Sequence, residues 1–394
     1  MEQRLMERRP MKPLGLTVAA ILAVVVGAGC ILPLSTAGNT ASIQFVGTTT
    51  TGGWKYDSYR NTAYPCAVSG SQTFVIGTKV GSSTTAARPL FAHMHGGGAG
   101  YFDAAGRPVP GTGQKVEESA ASLTGRLTNN GLFAKVRADV AGFRMVAVSY
   151  CSHDVYGGVN STDPNNPNLD AAGKPRTTNG ILATKAAIQF ATSKYPTTKT
   201  FIHGGSAGSA GTFGMAWSMQ QQGIAPAGLI ADASIVNAEG FQVGYAAGIC
   251  AEDNDPARTT AISARVHPDL ANIANEPDKL VADGRLTVPI MHVWNHADVN
   301  TCGSPPVTCP LRDGSSVTLG YTDCLHEPMR LAIAAQGPST RSKNLPLCVN
   351  DVGAPPCSTH VVSNKVGLLN TDPASPADYQ SAIMDWLHLR LADA

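Results

Sequence analysis

Short apolar runs alternate along the chain with longer stretches that carry apolar residues at helical spacing. Strand-like runs cover residues 73–80, 89–94, 143–150, 200–203, 229–231 and 288–294. Helix-like stretches cover residues 123–140, 178–195, 208–222 and 376–391, and a Gly/Thr-rich stretch, residues 47–53, precedes the first strand. Because strands that alternate with helices form βαβ units, the pattern predicts a doubly wound, mostly parallel α/β sheet with helices on both faces. Ligands of such sheets bind at the carboxyl ends of the strands.

The first 37 residues have a different pattern. Four basic residues precede an uncharged, mostly apolar run over residues 14–32, and Ser35-Thr36-Ala37 follows as a small-residue cleavage site. This predicts an export signal, with an uncleaved membrane anchor as the competing interpretation. Cys30, after Gly27-Ala28-Gly29, is a candidate lipid attachment site. Residues 38–394 are then expected to form a single α/β domain, in a secreted or cell-envelope protein.

Charge and composition narrow the possible partners. The chain has 394 residues, of which 43% are hydrophobic and only 14% charged, so it can bury a large core. It has 29 basic and 28 acidic side chains, and the formal net charge is +1. This balance gives no general electrostatic reason to bind nucleic acid or a strongly anionic polysaccharide.

Cysteine usage supports export. Apart from Cys30, eight cysteines remain, an even number, at positions Cys66, Cys151, Cys250, Cys302, Cys309, Cys324, Cys348 and Cys357. Since no C-x-x-C pair occurs, disulfides are favoured over zinc, and we predict that all eight are paired. The short spacings favour Cys302–Cys309 and Cys348–Cys357, although Cys250 or Cys324 could pair with any of these four.

The sharpest local signal is Gly204-Gly205-Ser206-Ala207-Gly208, a G-x-S-x-G motif between a predicted strand and a predicted helix. Small neighbours permit the strained turn that exposes a serine hydroxyl, and a helix N-terminus favours developing negative charge. Ser206 is therefore the predicted nucleophile of a serine hydrolase. The near-repeat Ser209-Ala210-Gly211 falls inside the helix pattern and is the weaker candidate.

A second motif, His95-Gly96-Gly97-Gly98, ends the strand at residues 89–94. Glycines let backbone N–H groups point at a tetrahedral oxyanion, and the N–H of Ala207 supplies another donor. The motif precedes the serine, as an oxyanion loop of this class does. His95 itself is interpreted as structural.

A serine nucleophile needs a base and an acid, which follow it along the chain in this class of hydrolase. Asp298, in the loop after the strand at residues 288–294, is the favoured acid, and Asp232 is the alternative. His360 is the favoured base. His326 is its rival, but it opens what resembles a helix.

The segment Tyr150-Cys151-Ser152-His153-Asp154-Val155-Tyr156-Gly157-Gly158 precedes the serine motif, and Ala231-Asp232-Ala233-Ser234 follows it. Together these segments resemble the pectin acetylesterase and Notum carboxylesterase family over residues 89–237, with a fainter likeness at Cys357-Ser358-Thr359-His360. The resemblance implies an α/β-hydrolase-like fold and ester hydrolysis without a metal or cofactor. By position, the resemblance assigns the catalytic triad to Ser206, Asp298 and His360. It assigns the oxyanion hole to Gly97, Gly98 and Ala207.

One departure from the family concerns the substrate. The family usually has an aromatic residue after the paired glycines, where Gly98 stands here, which changes the expected acyl pocket. Plant members act on acetylated pectin, and the animal member removes a fatty acyl group from a signalling protein. We therefore predict a secreted serine carboxylesterase for acetyl or other short acyl groups on a polysaccharide. The alternatives are a lipase-like or polyester-cleaving hydrolase and a non-catalytic glycan-binding protein on the same fold.

Overall fold

The computed structural model describes residues 32–347, 359–363 and 378–393. In these residues the strands are β1 (Ile43–Thr51), β2 (Trp54–Pro65), β3 (Ser71–Lys79), β4 (Arg88–Met94), β5 (Tyr101–Phe102), β6 (Pro108–Val109), β7 (Arg144–Val148), β8 (Thr197–Gly205), β9 (Gly228–Asp232), β10 (Ile290–Asn295), β11 (Pro306–Pro310), β12 (Ser316–Gly320) and β13 (Lys343–Leu347). The helices are α1 (Ala120–Thr128), α2 (Leu132–Ala138), α3 (Gly180–Lys194), α4 (Ala207–Gln221), α5 (Ala238–Ala246), α6 (Pro256–Ser263), α7 (Pro268–Ala271), α8 (Pro277–Ala282), α9 (Tyr321–Gln336) and α10 (Tyr379–Leu391).

The central sheet has the order β1-β2-β3-β7-β4-β8-β9-β10-β13 across the described residues. Neighbours from β1 to β7 pair antiparallel, and neighbours from β7 to β13 pair parallel. Since the chain winds outward in both directions from β4, the predicted doubly wound, mostly parallel sheet is confirmed. Its order and its strand–turn–helix at β8 and α4 are those of an α/β-hydrolase fold.

Two apolar layers lie on the two faces of the sheet. In β4, Leu90, Ala92 and Met94 pack in one layer, and Phe91 packs in the other. This alternation follows from the two-residue period of a strand. Helices α3, α4, α8 and α9 contribute to the first layer, and α1, α2 and α10 to the second. Both faces are therefore covered by helices, as predicted.

Some elements differ from the sequence prediction. The Gly/Thr-rich stretch 47–53 does not precede the first strand: residues 47–51 belong to β1, and residues 52–53 form its turn to β2, where Gly52 and Gly53 have φ of 56° and 74°. Positive φ at both turn residues is typical of a tight hairpin. The predicted helix over residues 123–140 divides into α1 and α2 at Gly131, whose φ is 67°. The β11–β12 hairpin and β13 were not predicted, because their short runs have weak periodicity.

The disulfides link Cys66 to Cys151, Cys250 to Cys302, and Cys309 to Cys324. The prediction of Cys302–Cys309 was wrong, because β11 begins between these residues and directs Cys309 inward against α9, which carries Cys324. Cys348 and Cys357 lie outside the described residues, so their pairing stays a prediction. Three disulfides agree with an oxidising compartment.

The predicted export signal, membrane anchor and lipid site at Cys30 fall mainly in residues 1–31, which the structure does not describe. In the described ranges, no helix combines the length and hydropathy needed to cross a bilayer. The stretch from residue 32 to 38, by contrast, packs against α3 and α4. Leu34 is only 2% exposed and belongs to the apolar layer on that face of the sheet.

Candidate active site

Ser206 occupies the sharp turn between β8 and α4. Its φ of 55° is rare for a residue with a side chain and costs of order 1–3 kcal/mol, so the surroundings must hold it. The Ser206 N–H donates to the backbone oxygen of Asp232 at 3.0 Å. Both motif glycines are required by packing: a Cβ on Gly204 would lie 2.2 Å from the oxygen of Gly208, and one on Gly208 would lie 2.0 Å from the oxygen of Met94. The motif therefore permits the turn because its two outer residues, Gly204 and Gly208, have no side chain.

The structure brings Ser206, His360 and Asp298 into one hydrogen-bonded chain. Ser206 Oγ lies 2.8 Å from His360 Nε2, and His360 Nδ1 lies 2.6 Å from Asp298 Oδ2. Because the Asp298 carboxylate can only accept, Nδ1 carries a proton and Nε2 can accept the serine proton. Asp298 is 1% exposed, and its Oδ1 accepts from the N–H of Asn300. The imidazole is thus held in the tautomer that a general base requires.

His360 lies in a short described segment, residues 359–363, that is anchored on several sides. Asn295 Nδ2 donates to the oxygen of Thr359 at 3.1 Å, and the N–H of Leu132 donates to the oxygen of Ser363 at 2.8 Å. Val362 is fully buried in the apolar layer that contains α10. These contacts come from β10, α2 and the core, so the His360 segment is positioned by parts of the chain that are far apart in sequence.

Asp232, the alternative acid, contacts this segment through its carboxylate. Oδ2 accepts from the N–H of Ser363 at 2.8 Å and from the hydroxyl of Tyr379 at 3.3 Å, and Oδ1 accepts from the N–H of Val362 at 3.3 Å. Burial raises the pKa of Asp232 to about 6, against the opposing effect of these two N–H bonds. The Asp232 carboxylate therefore accepts from two backbone N–H groups beside His360 and from the Tyr379 hydroxyl, whereas the imidazole of His360 pairs with Asp298.

His326, the alternative base, lies within α9, which begins five residues earlier at Tyr321 rather than at His326. Its Nδ1 lies 2.8 Å from His292 Nε2, and its ring stacks on Trp294 with the ring centres 5.3 Å apart. Burial lowers the pKa of His326 well below its usual value, and His292 lowers it further. Its placement is that of a neutral aromatic side chain in the core beside β10.

The loop after β4 approaches Ser206 at Gly96. A Cβ on Gly96 would lie 2.5 Å from Ser206 Cβ and 3.2 Å from its Oγ. Of the glycines predicted for the oxyanion hole, Gly97 packs against Tyr150 and His153, and Gly98 has a φ of 72° with open space beside it. Ala207 is the first residue of α4, directly after Ser206. The residue of this loop that lies against the serine side chain is thus Gly96, one position before the predicted pair.

Three side chains donate to the carbonyl groups of this loop. The Tyr156 hydroxyl donates to the oxygen of His95 at 3.0 Å, His95 Nδ1 to that of Gly96 at 2.7 Å, and the Tyr150 hydroxyl to that of Gly98 at 2.9 Å. In a trans peptide the carbonyl and the following N–H point in opposite directions. These bonds therefore fix the directions of the N–H groups of Gly96, Gly97 and Ala99. Sequence reasoning missed both tyrosines, although they lie in the segment that carries the family resemblance.

His95 has a structural partner, as interpreted from the sequence. Its Nε2 lies 2.8 Å from Glu118 Oε2, and the Ser122 hydroxyl donates to the other Glu118 oxygen. The next histidine along, His153, has a φ of 52° and stacks on Tyr150 with the ring centres 4.6 Å apart. Burial lowers the pKa of His153 to about 3, with further lowering by nearby cations, so its ring is neutral at ordinary pH.

Two cavities lie beside elements that flank the serine, although neither is lined by Ser206 or His360. A polar cavity of about 260 Å³ borders the oxyanion loop and is lined by His95, Gly96, Gly97, Glu118, Tyr150 and His153, among others. A mainly apolar cavity of about 150 Å³ lies beside α4, with lining residues that include Ala210, Phe213, Phe241, Ile262 and Leu270. In the described part of the chain, no group of three or more His, Cys, Asp or Glu side chains is arranged to hold a metal ion.

Comparison with known proteins gives likenesses in structure only. No protein-family model matches the chain, and no curated protein sequence matches it. An S-formylglutathione hydrolase from Agrobacterium tumefaciens is 11% identical, with 64% of this chain and 80% of that chain covered and a TM-score of 0.38. Carboxyl esterase 2 from the fungus Tuber melanosporum is 13% identical, with 75% and 76% covered and a TM-score of 0.40. The fold assignment for this chain rests on its own sheet order.

Proposed function

We propose that this protein is a serine carboxylesterase with Ser206 as nucleophile, His360 as general base and Asp298 as the acid that orients it. The observation that carries the proposal is the hydrogen-bonded chain from Ser206 Oγ through His360 to the buried Asp298 carboxylate, at 2.8 and 2.6 Å. Strain at Ser206 adds support, because such backbone strain clusters at active sites.

Hydrolysis proceeds in two acyl-transfer steps. Ser206 Oγ attacks the ester carbonyl carbon while its proton moves to His360 Nε2. When the tetrahedral intermediate collapses, the bond to the alcohol oxygen breaks, and the alcohol leaves with the proton from His360. Water then attacks the acyl-Ser206 ester and gives a proton to the same nitrogen. The carboxylic acid departs, and Ser206 recovers its proton.

Backbone N–H groups stabilise the oxyanion of both tetrahedral intermediates. We assign this role to the N–H of Ala207, at the start of α4, and to N–H groups of the loop at Gly96, Gly97 and Gly98. An N–H fixed before reaction needs no reorientation as charge develops, and one such donor typically contributes about 10²- to 10³-fold to the rate. The bonds to the carbonyls of His95 and Gly96 hold the N–H groups of Gly96 and Gly97 in place and so support a preformed hole.

For the substrate, we propose acetyl or other short acyl groups on a polysaccharide, as the resemblance to the pectin acetylesterase and Notum family implies. The polar cavity beside the oxyanion loop supports a hydroxylated alcohol portion, because its His, Glu and Arg side chains can hydrogen-bond hydroxyl groups. The three disulfides support action in a secreted or cell-envelope setting.

A second candidate is a hydrolase for longer acyl chains, including lipase-like and polyester substrates. The apolar cavity beside α4 favours it, since Ala210 in its lining lies one helical turn after Ser206. A rate profile from acetyl to palmitoyl p-nitrophenyl esters separates the two candidates. Highest kcat/KM on acetyl supports the deacetylase, and a maximum at eight or more carbons supports the second candidate.

The nucleophile is tested with Ser206→Ala. Turnover of p-nitrophenyl acetate should fall by at least about 10³-fold, because the covalent step is lost and only binding and the oxyanion hole remain. Labelling by a fluorophosphonate should disappear. Ser209→Ala is the matched control: its hydroxyl donates to the oxygen of Ser234, so we expect a lower melting temperature but retained labelling. Near wild-type turnover and labelling in Ser206→Ala would exclude the proposal.

Failure of the wild-type protein to react with the fluorophosphonate has a different meaning. Combined with saturable binding of a glycan, it would support the non-catalytic glycan-binding alternative. The hydrogen-bonded chain at Ser206 would then be a structural feature of the fold alone.

A further inference from the structure

The stretch of residues 32–38, called here the N-terminal strap, is built into the domain. Leu34 is 2% exposed and packs in the apolar layer that includes α3 and α4. The Leu34 oxygen accepts from the Ser218 hydroxyl at 2.6 Å, and His267 Nε2 lies 2.9 Å from the oxygen of Leu32. Gly38 lies so close to α3 that a Cβ there would be 2.3 Å from the Ala186 nitrogen. The strap is thus fixed at both ends and in its middle.

Lys185 on α3 depends on the strap. Its side chain is fully buried, and its ammonium group donates to the oxygens of Leu34, at 3.0 Å, and Thr36. In the described ranges these two oxygens are its hydrogen-bond acceptors. Burial lowers the pKa of Lys185 to about 8, which still leaves it mostly charged at neutral pH. Removal of the strap would take away both acceptors of the Lys185 ammonium. Proteins avoid such a state because an unpaired buried charge is costly.

We infer that the mature, exported protein retains the strap, so that any signal cleavage falls N-terminal to Leu32 and not after Ala37. The small residues Ser35, Thr36 and Ala37 match a cleavage site in sequence, yet their backbone belongs to the folded unit, which begins at Leu32. Cleavage after Ala37 would remove one core side chain and both acceptors of the Lys185 ammonium. This inference is independent of the esterase activity.

The direct test is the intact mass of the protein exported from the full-length gene, with N-terminal peptide mapping. We expect the mature chain to contain residues 32–37. A homogeneous mature chain that starts at Gly38 would overturn the inference.

A second measurement uses the full-length gene with Leu34→Ala. Truncation of a buried leucine leaves a cavity, so the exported protein should melt at least about 4 °C lower than wild type if the strap is present. Leu34→Met is the matched control, because it conserves volume and should shift the melting temperature by less than half as much. If the strap is removed on export, both variants yield the same mature chain as wild type. Identical masses and melting temperatures would then refute retention.

Discussion

The two sides of Ser206 are held by different chemistry. On the oxyanion side, the carbonyl groups of residues 95–98 accept from the hydroxyls of Tyr150 and Tyr156 and from the imidazole of His95, which is part of the loop itself. On the base side, residues 359–363 are held by the Asp232 carboxylate and by Asn295. The side chains named on the first side all donate to carbonyl oxygens, whereas the second side combines the Asp232 carboxylate, which accepts from backbone N–H groups, with the Asn295 amide, which donates to a carbonyl. The comparison teaches that a single active site can be fixed by groups of opposite hydrogen-bonding character.

This difference extends to pH. Burial raises the pKa of Tyr150 and of Tyr156 well above the usual tyrosine value, so both hydroxyls keep their protons wherever the protein is folded. Asp232, by contrast, has a pKa raised by burial to about 6, and it ionises within the ordinary working range. His203 Nε2 lies 4.0 Å from its carboxylate, but burial lowers the His203 pKa to about 3, so that ring stays neutral. We therefore expect Asp232 to make the base side respond to pH, whereas the two tyrosine hydroxyls on the oxyanion side do not.

The largest expected effect is on the base side. Asp298→Asn should lower kcat by about 10⁴-fold, because an amide no longer favours the His360 tautomer that accepts the serine proton. The protein should stay folded, since Asn can still accept from the Asn300 N–H. The matched control is Asp323→Asn, which alters a separate carboxylate paired with His296 and should lower kcat by less than about 10-fold. Equal losses in the two variants would contradict the assignment of Asp298.

A smaller effect is expected from Asp232→Asn. Misplacement of the His360 segment should lower kcat by up to about 100-fold at pH 8, with Ser206 and Asp298 intact. The contribution of Asp232 to folding stability should also change with pH in a predictable direction. Because the folded-state pKa is raised, native Asp232 holds its proton more tightly than the unfolded chain, so its stabilising contribution is lost as pH rises from about 4 to about 6.

The melting temperature of wild type minus that of Asp232→Asn should therefore fall between pH 4 and pH 6 and level off above. If instead the melting temperatures of the two proteins differ by the same amount from pH 4 to pH 6, and kcat is unchanged, Asp232 does not hold the base side.

The smallest effect is expected on the oxyanion side. Tyr150→Phe removes one hydroxyl that donates to Gly98 and accepts from the Val155 N–H, and it should lower kcat about 10-fold with little change in KM. Tyr64→Phe is the matched control: it also removes a buried hydroxyl, one bound to the Asn39 N–H. Both variants should lose about 1 kcal/mol of stability, but only the first should lose kcat. A KM effect alone, or equal kcat in the two, would contradict a positioning role.

The comparison also explains what the sequence could predict. The serine motif and the glycine loop are local patterns, so Ser206 and the 95–98 motif could be located from a few adjacent residues. The strand and helix pattern was equally local, and it gave the doubly wound sheet correctly. Even there, the pattern could not show that Gly96 rather than Gly98 lies against the serine, because that depends on how β4 and β8 align.

Long-range partners could not be derived in this way. Asp232 and Asp298 both follow a strand that was predicted from the sequence, and only the folded sheet shows which carboxylate faces the His360 ring. The same holds for cysteines: short spacing favoured Cys302–Cys309, whereas tertiary packing joined Cys309 to Cys324 and Cys302 to Cys250. Tyr150 and Tyr156 were visible only as part of a resemblance, since a tyrosine has no spacing that indicates a carbonyl partner.

The close packing at Gly204 and Gly208 has a consequence for evolution. A methyl group at either position would overlap a backbone oxygen, and backbone cannot move aside as a side chain can. Selection on these two sites therefore acts through shape and would persist in a descendant that had lost its serine and its activity. A sequence search that weights the two glycines as heavily as the serine can therefore also detect a relative that lacks the serine.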